Sequence, residues 1–175
     1  MTPNPEQAQP TASLSNQLAA AHKTALIIVL TFAMSIVGYM GVGLLILNLR
    51  SAKVQAQLPF AFYGVAAALA IGSILVRRAL LHRTKLEVVA VTRGLEGLIK
   101  HLLNSTIIAA AIAEVIGLLA LVLAFFGGDQ NDVIRMSVVG LAVLVWNYPR
   151  RSAWERAVYY FAATTPGTDA GKLGL

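Results

Sequence analysis

The sequence predicts an all-α protein that crosses a membrane several times, and three observations lead to this fold class. Hydrophobic residues make up 57% of the 175 residues and charged residues only 13%, about half the charged share of a soluble domain. The apolar residues are gathered into four long runs. The Lys and Arg residues lie mostly beside those runs, as in the cytoplasmic loops of membrane proteins.

Four transmembrane helices are predicted, since a bilayer requires roughly 20 apolar residues per helix. The spans cover residues 24–49, 59–81, 106–126 and 133–148. The first span contains no charged residue. The second continues past Arg77 and Arg78, because such long side chains can reach the headgroups from within a span.

The distribution of positive charge predicts the orientation. Six Lys and Arg residues lie between residues 77 and 105, and four follow Pro149, whereas the turn over residues 127–132 has none. The positive-inside rule therefore places the central linker and both termini in the cytoplasm. The predicted location is a membrane, crossed several times, which is the inner membrane if the protein is bacterial.

The first apolar run has an alternative interpretation as a cleaved signal peptide. Val-Gln-Ala at residues 54–56 has the form of a cleavage site. The run is longer than a typical signal segment, and Arg50 and Lys53 separate it from the site. We therefore interpret residues 24–49 as a span and keep cleavage as the alternative.

The chain is predicted to have three parts. Residues 1–23 are rich in Pro, Gln, Asn and Ser without periodicity, which indicates a disordered cytoplasmic N-terminus. Residues 24–149 form the four-helix membrane domain, with a cytoplasmic linker over 82–105. Residues 150–175 form a short interfacial helix and a loose tail.

Within the linker, residues 84–104 are predicted to form an amphipathic helix. Gly94 and Gly97 are unfavourable for that helix. One interpretation is a cytoplasmic extension packed on its neighbours, and the other is a helix that docks on the membrane surface or on a partner. Its apolar residues recur at steps of three and four, which places them on one face: Val88, Val91, Leu95, Leu98 and Leu102.

Aromatic residues cluster around the end of the fourth span. Trp and Tyr suit the depth of the headgroups because each has an apolar body and a polar tip. An interfacial belt is therefore predicted at Trp146, Tyr148, Trp154, Tyr159 and Tyr160.

A single carboxylate, Glu114, lies near the middle of the third span. A charge at that depth costs about 2.5–3.5 kcal/mol by insertion scales, so it usually faces protein and often has a function. Small residues at four-residue spacing allow helices to approach closely. Those expected to pack around the acid are Ala110, Ala113, Gly117, Gly64, Ala68 and Gly72.

Two roles for Glu114 follow from its chemistry. It is either a buried structural residue that makes a hydrogen bond, or a carboxylate that binds a proton or a cation such as Na⁺. Its candidate hydrogen-bond partners are Ser35, Tyr39, Tyr63 and Ser73.

The stretch Ala111-Ile-Ala-Glu-Val-Ile-Gly-Leu-Leu-Ala-Leu-Val-Leu-Ala-Phe125 resembles the ion-binding helix of rotary-ATPase proteolipids, the ring subunits of the vacuolar type. The resemblance covers about fifteen residues. It implies that Glu114 binds the transported proton or Na⁺ and that the chain forms a homo-oligomer. The rest of the chain is typical of small bacterial membrane proteins. The alternative is a structural or assembly subunit in which the basic cytoplasmic helix docks a partner.

Other classes of function have little support in the sequence. The chain has no Cys, and its three His residues are too scattered for metal-ligand spacing. It lacks a serine-nucleophile elbow and a glycine-rich nucleotide loop, so no enzymatic activity and no organic cofactor are predicted. The expected partners are the bilayer and other membrane subunits or copies of this chain. Neither nucleic acid nor a small-molecule substrate is expected.

Overall fold

A computed structural model describes residues 5–49 and 58–164, with side chains over 14–49 and 60–164. The described residues are almost entirely helical and include no strand, which confirms the all-α prediction. The five helices are α1 (Pro5–Leu49), α2 (Leu58–Leu80), α3 (Arg83–Phe125), α4 (Gln130–Trp146) and α5 (Arg151–Thr164).

Three of these helices are long and apolar enough to cross a membrane. The qualifying stretches are Leu14–Leu49 in α1, Phe60–Leu80 in α2 and Arg83–Phe125 in α3. Helix α4 has 17 residues, fewer than the roughly 20 that a bilayer usually requires. The expectation of a membrane protein therefore stands on three helices.

The helices contribute to two compact units. Among the described residues, the first unit combines 5–27, 80–106 and 149–164, and the second combines 28–49, 58–79 and 107–148. Helices α1 and α3 each supply residues to both units.

The first unit has its own hydrophobic core, and this overturns the prediction that residues 1–23 are disordered. Residues 5–23 are the beginning of α1, and Leu18 is only 3% exposed in one hydrophobic core with residues of α3 and α5. Leu14, Leu18, Ala21 and Ala25 recur at steps of three and four, so they form one apolar stripe. Residues 1–4 lie outside the described residues.

Helix α3 is interrupted at Gly94, which corrects the prediction of one amphipathic helix over 84–104. Gly94 has φ 66° and ψ −172°, a conformation that is essentially restricted to glycine. The interruption changes which face is buried. Leu98 and Leu102 are buried as predicted, but Val88 and Val91 are 56% and 65% exposed.

Before Gly94, the buried residues are instead Leu86 and Ala90. The non-helical residue breaks the periodicity, so the apolar face of residues 95–102 does not continue through residues 83–93. The predicted face was therefore wrong on the N-terminal side of Gly94.

A tight turn connects α3 to α4 within the second unit. Gly127 adopts φ 80°, and its backbone N–H donates to the Ala124 carbonyl at 3.0 Å. The Gly128 N–H donates to the Leu123 carbonyl at 2.9 Å. This pair of bonds is the Schellman arrangement that ends a helix, so α4 begins soon after α3 stops.

Candidate functional site

Glu114 lies on α3 inside the second unit, and its carboxyl is half-buried. The Tyr39 hydroxyl of α1 donates a hydrogen bond to Glu114 Oε1 at 3.0 Å. Tyr39 is one of the four partners that the sequence suggested. The Ser35 hydroxyl, one turn earlier on α1, interacts with Tyr39 in turn.

Glycines on α3 and α4 allow close packing beside this pair. A Cβ atom added to Gly117 would lie 2.8 Å from Ile36 Cγ1. A Cβ atom added to Gly140 of α4 would lie 3.1 Å from the Ala113 carbonyl oxygen. A contact of 2.8 Å at Gly117 is shorter than real Cβ atoms make, and one of 3.1 Å at Gly140 is tighter than most. The two glycines therefore help α1 and α4 to approach α3 closely.

The predicted small residues divide into two groups. Ala110, Ala113 and Gly117 of α3 are buried in the second unit, as expected for helix packing. Gly64, Ala68 and Gly72 of α2 are not brought into this seam. Gly64 and Ala68 are exposed, and a Cβ atom added to Gly64 or Gly72 would meet no atom within 4 Å.

Helix α2 uses another face to contact the second unit. Ala66 and Ser73 are buried on that face, and they are two turns apart. Because α2 is apolar on all sides, its sequence does not show which face packs. The small-residue spacing was therefore a misleading guide to the contact face of α2.

Two other suggested partners of Glu114 bind elsewhere. The Tyr63 hydroxyl donates to Asp132 Oδ1 at 2.8 Å, near the start of α4. The Ser73 hydroxyl accepts a hydrogen bond from Asn147 Nδ2 at 3.0 Å, at the end of α4. Both residues therefore join α2 to α4 rather than to the acid.

The sequence did not single out the polar cluster at the end of α4. Asn147 is 5% exposed and bonds to Ser73, and Arg77 donates to the Trp146 carbonyl at 2.8 Å and to Asn147 Oδ1 at 3.3 Å. Arg77 thus satisfies a terminal carbonyl of α4, which has no partner within its own helix. The sequence feature that could have predicted this cluster is an amide side chain, that of Asn147, directly after the apolar run of α4.

Four residues of the predicted aromatic belt are exposed: Trp146, Tyr148, Tyr159 and Tyr160. Trp154 is different, because it is 6% exposed within the core of the first unit. Its ring meets the His22 ring edge-on at 5.7 Å, and His22 Nε2 bonds to the Pro149 carbonyl at 3.0 Å. Trp154 is therefore a core residue, and its assignment to the belt was wrong.

The position of Trp154 follows from the pattern of α5. Trp154, Val158, Phe161 and Ala162 are buried, and their spacing of four, three and one residues marks a single face of a helix. The opposite side of the helix carries the exposed Tyr159 and Tyr160.

No three His, Asp or Glu side chains converge to hold a metal ion within the part of the chain that the structure describes. Comparisons of the chain with family models, with curated proteins and with solved structures find no match. The resemblance to the proteolipid helix therefore rests on the residues around Glu114 alone.

Proposed function

We propose that this chain is a multi-pass membrane protein in which the Glu114 carboxyl binds and releases a proton between α1 and α3. The observation that carries the proposal is the hydrogen bond between Tyr39 and Glu114, made in the middle of an apolar helix. A carboxyl at that depth is expensive unless it is neutral or partnered, and it commonly marks an ion pathway.

A proton suits this site better than a metal cation. A proton needs only one carboxylate oxygen, whereas hard cations take several oxygen ligands. The Tyr39 hydroxyl bonds to Glu114, and Ser35 interacts with Tyr39 rather than with the acid. Binding of Na⁺, as the proteolipid resemblance implies, is the outcome against which the proton is tested.

We also propose that α4 completes a set of four spans. Its 17 residues give a length of about 26 Å, close to the roughly 30 Å of the hydrocarbon core. Gly140 packs on Ala113 and Gly117, so α4 lies against the apolar part of α3. With four spans, the charge distribution places the first unit and both termini in the cytoplasm.

Carbodiimide labelling across pH tests the assignment of Glu114. A hydrophobic carbodiimide is expected to modify Glu114 in the purified protein in liposomes, with labelling that falls as pH rises. Glu114→Gln removes this label, whereas the control Glu96→Gln, at an exposed carboxyl of the first unit, keeps it. Protection by Na⁺ would favour a cation site instead, and no labelling at any pH would favour a sealed structural residue.

A structural or assembly subunit is the second candidate, and the charge of the first unit favours it. Its exposed basic residues can attract an acidic partner. Over the described residues of this unit, the sequence has eight Lys and Arg and four Glu: Lys23, Arg83, Lys85, Arg93, Lys100, Arg150, Arg151 and Arg156 against Glu6, Glu87, Glu96 and Glu155.

The two candidates predict opposite responses to mutation. For an assembly subunit, reversing the charge of Lys85 and Lys100 abolishes copurification of the partner, and Glu114→Gln leaves it intact. For a proton-binding protein, only Glu114→Gln abolishes function. The mass of the complex purified in mild detergent shows whether the chain is bound to membrane partners, including further copies of itself.

A further inference from the structure

Three hydroxyl side chains form a row on α1 that ends at the Glu114 carboxyl. Thr31, Ser35 and Tyr39 are four residues apart, so they lie on one face in successive turns. Each step rises about 6 Å along the helix axis. The last two members interact with each other, and Tyr39 donates to Glu114 Oε1 at 3.0 Å.

Along α1 and α3 the row leads away from Glu114 in one direction only, whereas α4, which packs against α3, carries the buried hydroxyl of Ser137. Beyond Tyr39, residues 40–47 of α1 carry neither a hydroxyl nor a charge, and the same holds for residues 115–125 of α3 beyond Glu114. In the other direction, Thr31 lies three residues inside the second unit, which begins at Ile28. Polar side chains thus extend from the acid toward the end of α1 that belongs to the first unit.

The members of the row differ in how deeply they are buried in the second unit. Thr31 is exposed, and Ser35, Tyr39 and Glu114 are half-buried. Successive turns are about 6 Å apart, a gap that one water molecule between two hydroxyl groups is large enough to bridge. The tyrosine side chain is long enough to span its own step, because helical side chains point back toward the N-terminus.

We infer that Thr31, Ser35 and Tyr39 form a relay that delivers protons to Glu114 from the end of α1 that belongs to the first unit. This inference rests on the proposed function of Glu114. Each hydroxyl oxygen, and the bridging water, accepts one proton as it releases another. The Glu114 carboxylate accepts the last proton and becomes neutral, so one proton leaves the solvent and nothing is oxidised or reduced.

The relay is tested by the rate at which Glu114 is protonated. The full-length protein in liposomes is subjected to a rapid drop in pH, and the carbonyl band of the protonated carboxyl is followed by time-resolved infrared spectroscopy. Glu114→Gln identifies the band by its loss. Ser35→Ala is expected to slow the rise of the band roughly tenfold, because a positioned proton-transfer group is lost.

Two further variants separate the relay from a structural effect, and a third tests the first member of the row. Ser35→Thr keeps the hydroxyl and is expected to restore the rate. Ser105→Ala removes a hydroxyl of α3 that bonds to its own backbone at Leu102, so it is expected to leave the rate unchanged. Thr31→Ala is expected to slow the rate as Ser35→Ala does, with the final amplitude of the band preserved in both.

Each remaining outcome overturns the relay. An unchanged rate of protonation in Ser35→Ala and Thr31→Ala, with full amplitude of the band, would contradict the relay but would still agree with Glu114 as a proton site. A rate in Ser35→Thr as slow as in Ser35→Ala would show that packing matters and the hydroxyl does not. A band that never responds to pH in the unmodified protein would overturn the proposed function, and the relay with it.

Discussion

At the scale of single residues, the proposed function rests on the hydrogen bond between Tyr39 and Glu114. The Tyr39 hydroxyl donates to the carboxyl in a half-buried setting, where hydrogen bonds are stronger than in water. Such a bond to a charged group contributes about 1.5–3 kcal/mol, and one to a neutral group about 1 kcal/mol. Loss of either partner should therefore be measurable.

Tyr39→Phe is expected to lower the free energy of unfolding by about 1–3 kcal/mol, because Glu114 loses a hydrogen bond while the ring is kept. Thermal unfolding in detergent measures the change, with the exposed Tyr159→Phe as the control. In a double-mutant cycle with Glu114→Gln, the stability loss of the double variant should be smaller than the sum of the two single losses. Additive losses would show that the two side chains do not interact.

Gly117 and Gly64 provide a matched pair of substitutions. Gly117→Ala places a Cβ atom 2.8 Å from Ile36 Cγ1, and such overpacking costs about 1–3 kcal/mol. Gly64→Ala meets no atom within 4 Å and should be neutral or stabilising by up to about 1 kcal/mol, since alanine favours helix. Thermal unfolding of the two variants distinguishes the packed face of α3 from the open face of α2. Equal effects would contradict this assignment.

At the scale of helices, Gly94 divides α3 into two segments with different buried faces. Its φ of 66° and ψ of −172° lie in a region that costs other residues about 1–3 kcal/mol. The interruption lets Leu86 and Ala90 pack into the first unit although they are out of phase with Leu98. The conformation of one residue thus decides which residues of α3 form the core.

Gly94→Ala is therefore expected to destabilise the first unit by about 1–3 kcal/mol. Hydrogen exchange should become faster over residues 83–106 and remain unchanged over 107–125. Gly38→Ala is a suitable control, because Gly38 is helical and has open space around the added Cβ atom. Protection that rises throughout α3 would indicate that alanine makes the helix continuous and that the interruption is dispensable.

The helices themselves were largely predictable, and their contacts were not. Length and hydropathy located α2 and α4 closely, and a midspan acid pointed to Glu114. The sequence proposed four partners for that acid but could not choose Tyr39, because all four hydroxyls lie in apolar spans. It also missed the stripe that includes Leu18, since polar residues surround those few apolar positions.

The two units of the molecule have cores of different character. The first unit is built around large side chains such as Trp154 and Phe161 and exposes many charges. The core of the second unit combines small residues such as Ala113 and Ala120 with aliphatic side chains such as Ile116 and Leu123. The exposed charges of the first unit agree with the proposal that this unit lies in water and the second in the bilayer.

The number of spans determines on which side of the membrane the C-terminal helix α5 lies. Because the chain contains no Cys, labelling of single introduced cysteines can measure it. Single cysteines are introduced at three exposed positions: Lys100, Gln130 and Ala163. A membrane-impermeant maleimide is then added to intact bacterial cells. With four spans, only Gln130→Cys is labelled, because an even number of crossings returns the C-terminal segment to the cytoplasm.

With three spans, α4 remains outside, so Ala163→Cys is labelled together with Gln130→Cys while Lys100→Cys stays protected. Labelling of all three variants after the cells are permeabilised controls for reactivity. The result also bears on α5, because Trp154 and Val158 pack in one core with Leu98 of the linker. Residues that share a core lie on one side of the membrane, so this core favours the proposed four spans, in which Lys100 and Ala163 are both protected.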